Sequence, residues 1–449
     1  MAETITIEPL TRIEGHARIS IDLDEAGNVA DSRLHILSLR GFEQFICGRP
    51  AEEIPRIVTR ICGICPWMHH LASVKAVDAC FGVKPPPTGA LLRELCQVLA
   101  HINDKILHFF FLAAPDFILG PDSDYSVRSI MGIVKANPEL ANRVAGMRKL
   151  GQQLLEDFAG RAIHPVAGVS GGFSKPMTEE ERQRLQQGCR TLLDFAVFAL
   201  TYGRDEVLNT YQDLLQTLGR IETGFLGTVD KNGAMRLYDG DLRLMKADGS
   251  FTDFAPEQYK EHIKEHVENW SYGKMPWADC WQEGFSMDLD RPRGIYRTNT
   301  LARINTCDHI STPIAQEALE EFRDLFGRPA QGTLLYHWAR LIELVYACER
   351  SLELLADDRI TGDMIRNSVQ PGAGRGVGHV EAPRGTLIHE YTTDENGCIT
   401  SANMIVGTTH NLAPMNMSVR QAATDLIKNG HYDEGILNRI EMAVRAYDP

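Results

Sequence analysis

Arg60-Ile61-Cys62-Gly63-Ile64-Cys65-Pro66-Trp67-Met68-His69 holds the only Cys-x-x-Cys pair in a chain with ten cysteines. Two thiolates at that spacing converge on one soft metal ion, and His69 shares the face of Cys65 if a helix follows Pro66. A tetrahedral thiolate site wants four sulfurs, and this pair supplies two. The other eight cysteines (Cys47, Cys80, Cys96, Cys189, Cys280, Cys307, Cys348 and Cys398) form no second pair. Three readings stay open on the pair alone: half of a structural zinc site, a redox dithiol, or a transition-metal site completed from elsewhere. The dithiol wants a strand ahead of it, whereas Arg56 to Arg60 reads as helical.

With 449 residues, 43% hydrophobic and 24% charged, the chain can bury a large core. A net charge of −14 argues against a nucleic-acid or anionic-membrane surface, which needs a basic patch. Met1-Ala2-Glu3-Thr4 lacks the charged and apolar parts of a signal peptide, and no apolar run reaches a membrane span; Ile106 to Ala114 is interrupted by His108. The expectation is a cytoplasmic protein with reduced thiols and no integral membrane segment.

Residues 1–50 read as a β region. Ile19, Ile21 and Leu23 alternate with polar residues, and Glu25-Ala26-Gly27-Asn28 turns the chain into Val29 and the Leu34–Leu39 run. Residues 51–218 read as a helical body. Thr88 is placed to cap one long helix, and Thr178 with Glu181 forms a capping-box signature for another. Residues 219–312 form a strand- and loop-rich insert. It is punctuated by Asp230-Lys231-Asn232-Gly233, Asp239-Gly240 and Asp248-Gly249, with Trp270, Trp277 and Trp281 expected to cluster behind. Residues 313–449 return to helix at 314–326 and 334–355. Gly372–Gly378 reads as a flexible connection into a strand over Val380–Tyr391. A hairpin then turns at Asp394-Glu395-Asn396-Gly397, and short helices follow at 418–429 and 433–445. The glycine run lacks the Lys-Ser/Thr of a phosphate loop. The Phe109-Phe110-Phe111 cluster reads as core, and the dispersed histidines show no zinc spacing. The sum is an α+β fold, predominantly helical, with small sheets near each end.

Five motifs occur in a fixed order: Thr11-Arg12-Ile13-Glu14-Gly15-His16, Arg40-Gly41-Phe42-Glu43, Arg60-x-Cys62-Gly63-x-Cys65-x-x-x-His69, Glu381-Ala382-Pro383-Arg384-Gly385 and Asp448-Pro449. Together they resemble the large, catalytic subunit of the [NiFe]-hydrogenases from end to end. Segments such as Leu107–Phe117 and His164-Pro165-Val166 are most similar to the cytosolic, methyl-viologen-reducing members that work with heterodisulfide reductase.

The resemblance implies a nickel held by four thiolates, two of them bridging to an iron that carries carbonyl and cyanide. Cys62 would be a terminal nickel ligand and Cys65 a bridge. It implies reversible oxidation of H2, with Glu14 or Arg384 as the nearby proton acceptor. A guanidinium is a weak base, with a pKa above about 12, so Arg384 pinned between Asp116 and Asp448 is as readily a structural clamp. Pro383 would sit beside it, Thr408 would hydrogen-bond a cyanide, and His69 would donate to the bridging sulfur. Glu43 and the Met404 carbonyl would hold magnesium or iron, hard cations suited to oxygen. The chain has no cysteine set for an iron–sulfur cluster, so electrons would leave through a small subunit that carries such clusters. An iron–sulfur adaptor and heterodisulfide reductase are the expected acceptors.

After Asp-Pro the family pattern continues with a second Cys-x-x-Cys and a His. The expectation is a selenocysteine codon read as a stop after Pro449, then a separate small peptide; an incomplete sequence and a non-catalytic scaffold subunit of an electron-transfer complex are the alternatives. The scaffold fits poorly with the joint presence of Cys62, Cys65, Glu14, Glu43 and Arg384.

Overall fold

The computed structural model describes residues 3–38 and 40–449, so Met1, Ala2 and Leu39 of the readings above lie outside it. The expected N-terminal meander is present: β1 (Thr4–Ile7), β2 (Ala17–Leu23) and β3 (Val29–Ile36) pair antiparallel in that order. In β2 every second residue is buried, so Ile19, Ile21 and Leu23 point into the core.

Four long helices build the first half: α1 (Pro66–Cys80), α2 (Pro87–Leu107), α3 (Pro138–Ala159) and α4 (Glu179–Tyr202). The capping box at Thr178 and Glu181 forms as expected, each side chain satisfying the other's backbone N–H. Thr88 does not cap α2. Pro87 already occupies the first helical position, where its fixed φ suits the turn, and the Thr88 hydroxyl donates to the Arg359 carbonyl instead. A π-helical turn at His108–Ala113 follows α2 and buries Phe109 and Phe110.

In the middle, β4 (Gly224–Val229), β5 (Asp241–Met245) and β6 (Phe251–Phe254) form an antiparallel meander, with Tyr296–Arg297 running parallel on the outside of β4. The strands β7 (Ile263–Val267) and β8 (Lys274–Ala278) pair separately. The three tryptophans do not cluster: Trp270 packs edge-on against His35, Trp277 against Phe285, and Trp281 lies under Lys246. Buried helices α5 (Thr300–Thr306) and α7 (Tyr336–Ala356), with amphipathic α6 (Pro313–Phe326), complete the body. One continuous core draws residues from Ile5 to Tyr447.

The largest departure from expectation lies in 372–391. Gly374 to Ala382 is a strand, β9, and Gly385–Thr393 is a second, β10, antiparallel to it; β11 (Ile399–Ile405) completes the sheet. The glycines are spaced by two because one face of β9 lies directly on α1. A Cβ on Gly374, Gly376 or Gly378 would stand 2.0, 2.2 or 2.1 Å from the carbonyl oxygens of Cys80, Ala76 and Ala72. The alternation is that of a strand with its inner side chains removed. The chain ends with α8 (Leu412–Leu426), starting six residues before the expected 418, and α9 (Glu434–Ala446).

Gly376→Ala should therefore force β9 off α1 and cost about 1–3 kcal/mol, the usual range for overpacking. Gly146→Ala, on the exposed face of α3 with nothing within 4 Å, should stabilise by about 0.5–1 kcal/mol. Denaturant unfolding of the two variants checks both signs, and equal stability would contradict the close contact.

Candidate metal centre

The Cys pair sits where a short 3-10 turn (Val58–Ile61) gives way to α1. Cys62 is extended, and Cys65 is the residue before the first helical turn, with Pro66 inside it. The Cys65 N–H donates to Cys62 Sγ at 3.1 Å, and the two sulfurs converge to 2.6 Å. The positive end of α1 favours a thiolate here. Hydrogen bonding between the two thiols, assisted by His69 and Arg384, holds Cys65 well below its ordinary pKa against the effect of burial. The same bond, with burial, pushes Cys62 well above its own.

Glu14 stands against the Cys62 thiol. Its Oε2 accepts from Cys62 Sγ at 3.1 Å and its Oε1 from the Gly63 N–H at 2.6 Å, an approach that Gly63 permits: a Cβ there would lie 2.9 Å from Oε1. The Glu14 N–H donates to the Pro449 carbonyl at 3.1 Å, so the loop after β1 and the residue after Asp448 meet beside the cysteines.

Arg384 arrives from the opposite side, at the turn between β9 and β10, where Ala382 and Gly385 pair. Gly385, at φ +132°, makes the turn possible, and a Cβ on it would lie 2.1 Å from Thr298 Oγ1. Arg303 on α5 donates to the carbonyls of Ala382 and Pro383, fixing the turn from beneath. The Arg384 guanidinium is buried and donates to Asp104 Oδ2 and Asp448 Oδ1, each at 2.9 Å. Burial opposes its charge, but those two carboxylates hold its pKa well above the ordinary value. Burial raises Asp448 to about 7 even beside this cation.

Asp116 is not the second partner of Arg384; Asp104, which the motifs did not single out, takes that place. The π-helical turn separates the two aspartates, and Asp116 faces away to Arg12, to Arg445 Nη1 at 2.8 Å and to Asn438 Nδ2 at 3.2 Å. The signal for Asp104 was present in Asn103-Asp104-Lys105, three polar residues together in a helix whose surroundings are apolar; all three are buried.

Glu14, Cys62, Cys65, His69, Arg384, Thr408 and Pro449 line one cavity of about 410 Å³, whose remaining wall includes Ile36, Ile61, Leu387, Val406 and Leu412. Glu43 and Met404 line it as well. Pro383 does not line it; its carbonyl is held by Arg303. Glu43 Oε2 is paired with Arg40, its Oε1 accepts the Met404 N–H at 3.0 Å, and Lys274 Nζ is 3.8 Å away. No group of three or more His, Cys, Asp or Glu that could hold a metal occurs among the described residues. The soft donors fit half of a nickel shell: two converging sulfurs, one held below its ordinary pKa, open onto a cavity with an apolar wall.

Asp116→Asn leaves Arg12 and Arg445 facing a neutral side chain and should cost about 3–5 kcal/mol in urea unfolding, the range for breaking a buried pair. A variant as stable as the parent would contradict the assignment of Asp116 as the tether of the Thr11-Arg12 segment.

Comparison with known proteins agrees with this geometry. The family description "Nickel-dependent hydrogenase" matches residues 40–157, and "HoxL-like" matches residues 4–39. The vhu-type F420-non-reducing hydrogenase subunit of Methanococcus voltae is 48% identical over 426 residues, covering 95% of this chain and 99% of that protein. The NAD-reducing hydrogenase HoxS subunit beta of Cupriavidus necator is 36% identical, covering 100% and 94%. Among solved structures, an NAD+-reducing [NiFe]-hydrogenase in the H2-reduced state superposes with a TM-score of 0.93 at 38% identity, covering 100% of this chain and 98% of that one. The Ni-Fe-Se hydrogenase from D. vulgaris Hildenborough, at 24% identity and a TM-score of 0.80 with 100% and 98% covered, shares the fold. Identity at these levels along nearly the whole chain leaves one conclusion: it belongs to the large, catalytic subunits of the [NiFe]-hydrogenases.

Proposed function

We propose that this chain activates H2, taking it reversibly to protons and electrons at the cavity bounded by Cys62, Cys65, Glu14 and Arg384. The observation that carries the reading is the meeting of these four side chains, from three distant stretches of sequence, around one largely apolar chamber. A nickel–iron centre bearing carbonyl and cyanide, when bound, supplies the redox-active electrophile that polarises H2.

Cys62 and Cys65 would hold that centre, and the lowered pKa of Cys65 favours its thiolate form as a soft ligand. Glu14, 3.1 Å from the Cys62 sulfur, is the proton acceptor on that side. Arg384 remains a cation, clamped by Asp104 and Asp448, and orients charge over the chamber. Thr408 lines the cavity and would offer its hydroxyl to a cyanide, and the apolar wall excludes water.

Two more soft donors are needed, and we place their entry beside Pro449, which lines the cavity. Magnesium near Glu43 and the Met404 carbonyl would need a further ligand and would displace Arg40 and Lys274 from the carboxylate. Electrons pass to a small subunit with iron–sulfur clusters. An iron–sulfur adaptor and heterodisulfide reductase in the cytoplasm are the proposed onward acceptors, in line with the 44–48% identity to F420-non-reducing hydrogenases. Among the described residues, no helix is long and apolar enough to cross a membrane.

Glu14→Gln keeps shape but cannot accept a proton, so H2 oxidation should fall by about 10²-fold or more with metal content unchanged. H2-dependent dye reduction beside elemental analysis checks this. Full turnover in the variant would remove Glu14 from the proton path.

A further inference from the structure

The turn that presents Arg384 is held by its carbonyls. Gln97 Nε2 and His101 Nε2 donate to the Glu381 carbonyl at 2.7 and 2.9 Å. Arg303 donates to the Ala382 and Pro383 carbonyls at 2.9 and 3.2 Å, and Asn411 Nδ2 donates to the Arg384 carbonyl at 3.2 Å. All four donor side chains are buried. Behind two of them stands Lys105, itself buried on α2. Its ammonium lies 3.1 Å from His101 Nδ1 and 2.8 Å from Glu343 Oε2. Arg303 Nη2 donates to that same Oε2, also at 2.8 Å, and reaches the Pro383 carbonyl at the longer 3.2 Å.

We propose that Lys105 is a positioning residue: by sharing Glu343 with Arg303 and by donating to His101, it keeps both on the carbonyls behind Arg384 and so sets where that guanidinium stands over the chamber. One carboxylate oxygen serves two cations here, and each cation weakens the pull felt by the other. Without the ammonium, Glu343 faces Arg303 alone. The nitrogen that now divides itself between Glu343 and Pro383 then closes on the carboxylate. His101 is affected separately. Burial holds its ring neutral, and its one hydrogen goes from Nε2 to the Glu381 carbonyl, so Nδ1 is an acceptor whose donor is Lys105. The charged groups facing the ammonium are Glu343 on α7, Arg303 on α5 and Asp104 beside it on α2. Burial lowers its pKa most, Glu343 opposes this, Arg303 adds to the lowering and Asp104 opposes it, with the balance at about 8. The charge is therefore present below that pH and lost as pH rises through it, so the hold on the turn weakens on the alkaline side. The bearing on turnover rests on the H2 reading above; the contacts do not.

Two readouts test this. Crystal structures of the full chain, unaltered and as Lys105→Met, should show Arg303 Nη2 drawn onto Glu343 in the variant, out of hydrogen-bonding distance of the Pro383 carbonyl, with Arg384 displaced. In H2-dependent dye reduction by the enzyme with its partner subunit, kcat of Lys105→Met should fall by about tenfold or more at unchanged nickel content, because small displacements at a reacting centre are costly. The loss of turnover in the parent as pH rises through about 8 should be absent from the variant. An unchanged Arg303–Pro383 contact in the variant, or a variant with the parent's kcat and pH profile, would overturn the proposal. A displaced Arg384 in the variant beside a parent enzyme inactive toward H2 would instead count against the proposed function and leave the role of Lys105 standing. Should Lys105→Met fail to fold, structures of the unaltered chain below and above that pH decide it: release of Pro383 at the higher pH is expected, and an unmoved turn overturns it.

Discussion

The contact on which the site depends is that of β9 with α1, where glycines at every second position let a strand lie on helix carbonyls with no side chain between. The thiol pair stands at the N-terminal end of α1, and Arg384 stands at the turn that ends β9. Pressing strand on helix therefore fixes guanidinium and sulfurs relative to each other through rigid elements rather than loops. The same contact lays His389 and Tyr391 against His69 and Ser73. A side chain at Gly374, Gly376 or Gly378 would shift all of these groups together.

A second constraint is electrostatic. Beneath the Arg384 turn, Arg303 binds both Glu343 and Glu381 with all three side chains fully buried, and Lys105 joins at 2.8 Å from Glu343. Burial pulls Lys105 down to about 8, even beside that carboxylate. Such charges repay their desolvation only when each is met, so the network adds little net stability but penalises displacement of the turn heavily. Arg384 belongs to the same arrangement, since losing either Asp104 or Asp448 would leave a buried cation half-paired.

Much of this was legible in the sequence wherever one local rule dominated. The N-terminal meander follows from alternation in 17–23, and α4 follows from the Thr178–Glu181 box. The residues at the cavity were legible through ordered motifs rather than through periodicity. What failed was context of another kind. Glycine at 374, 376 and 378 has no local preference for a strand, and only the helix lying across it explains the spacing. Reading 380–391 as one strand hid the turn that presents Arg384. Asp104 was passed over for Asp116 because both follow apolar helical runs, and only the π-helical turn between them decides which faces the guanidinium. Tyr391 and His389 looked like strand residues because their partners lie more than 300 positions away.

The central claim is that Cys62 and Cys65, with Arg384 over them, bind the nickel at which H2 reacts. Nickel-edge X-ray absorption on the enzyme purified with its partner subunit, beside a Cys65→Ser variant, tests it most directly. The account predicts nickel in a sulfur-dominated shell in the parent, and loss of that nickel in Cys65→Ser. Nickel absent from the parent, or bound unchanged in the variant, would contradict it.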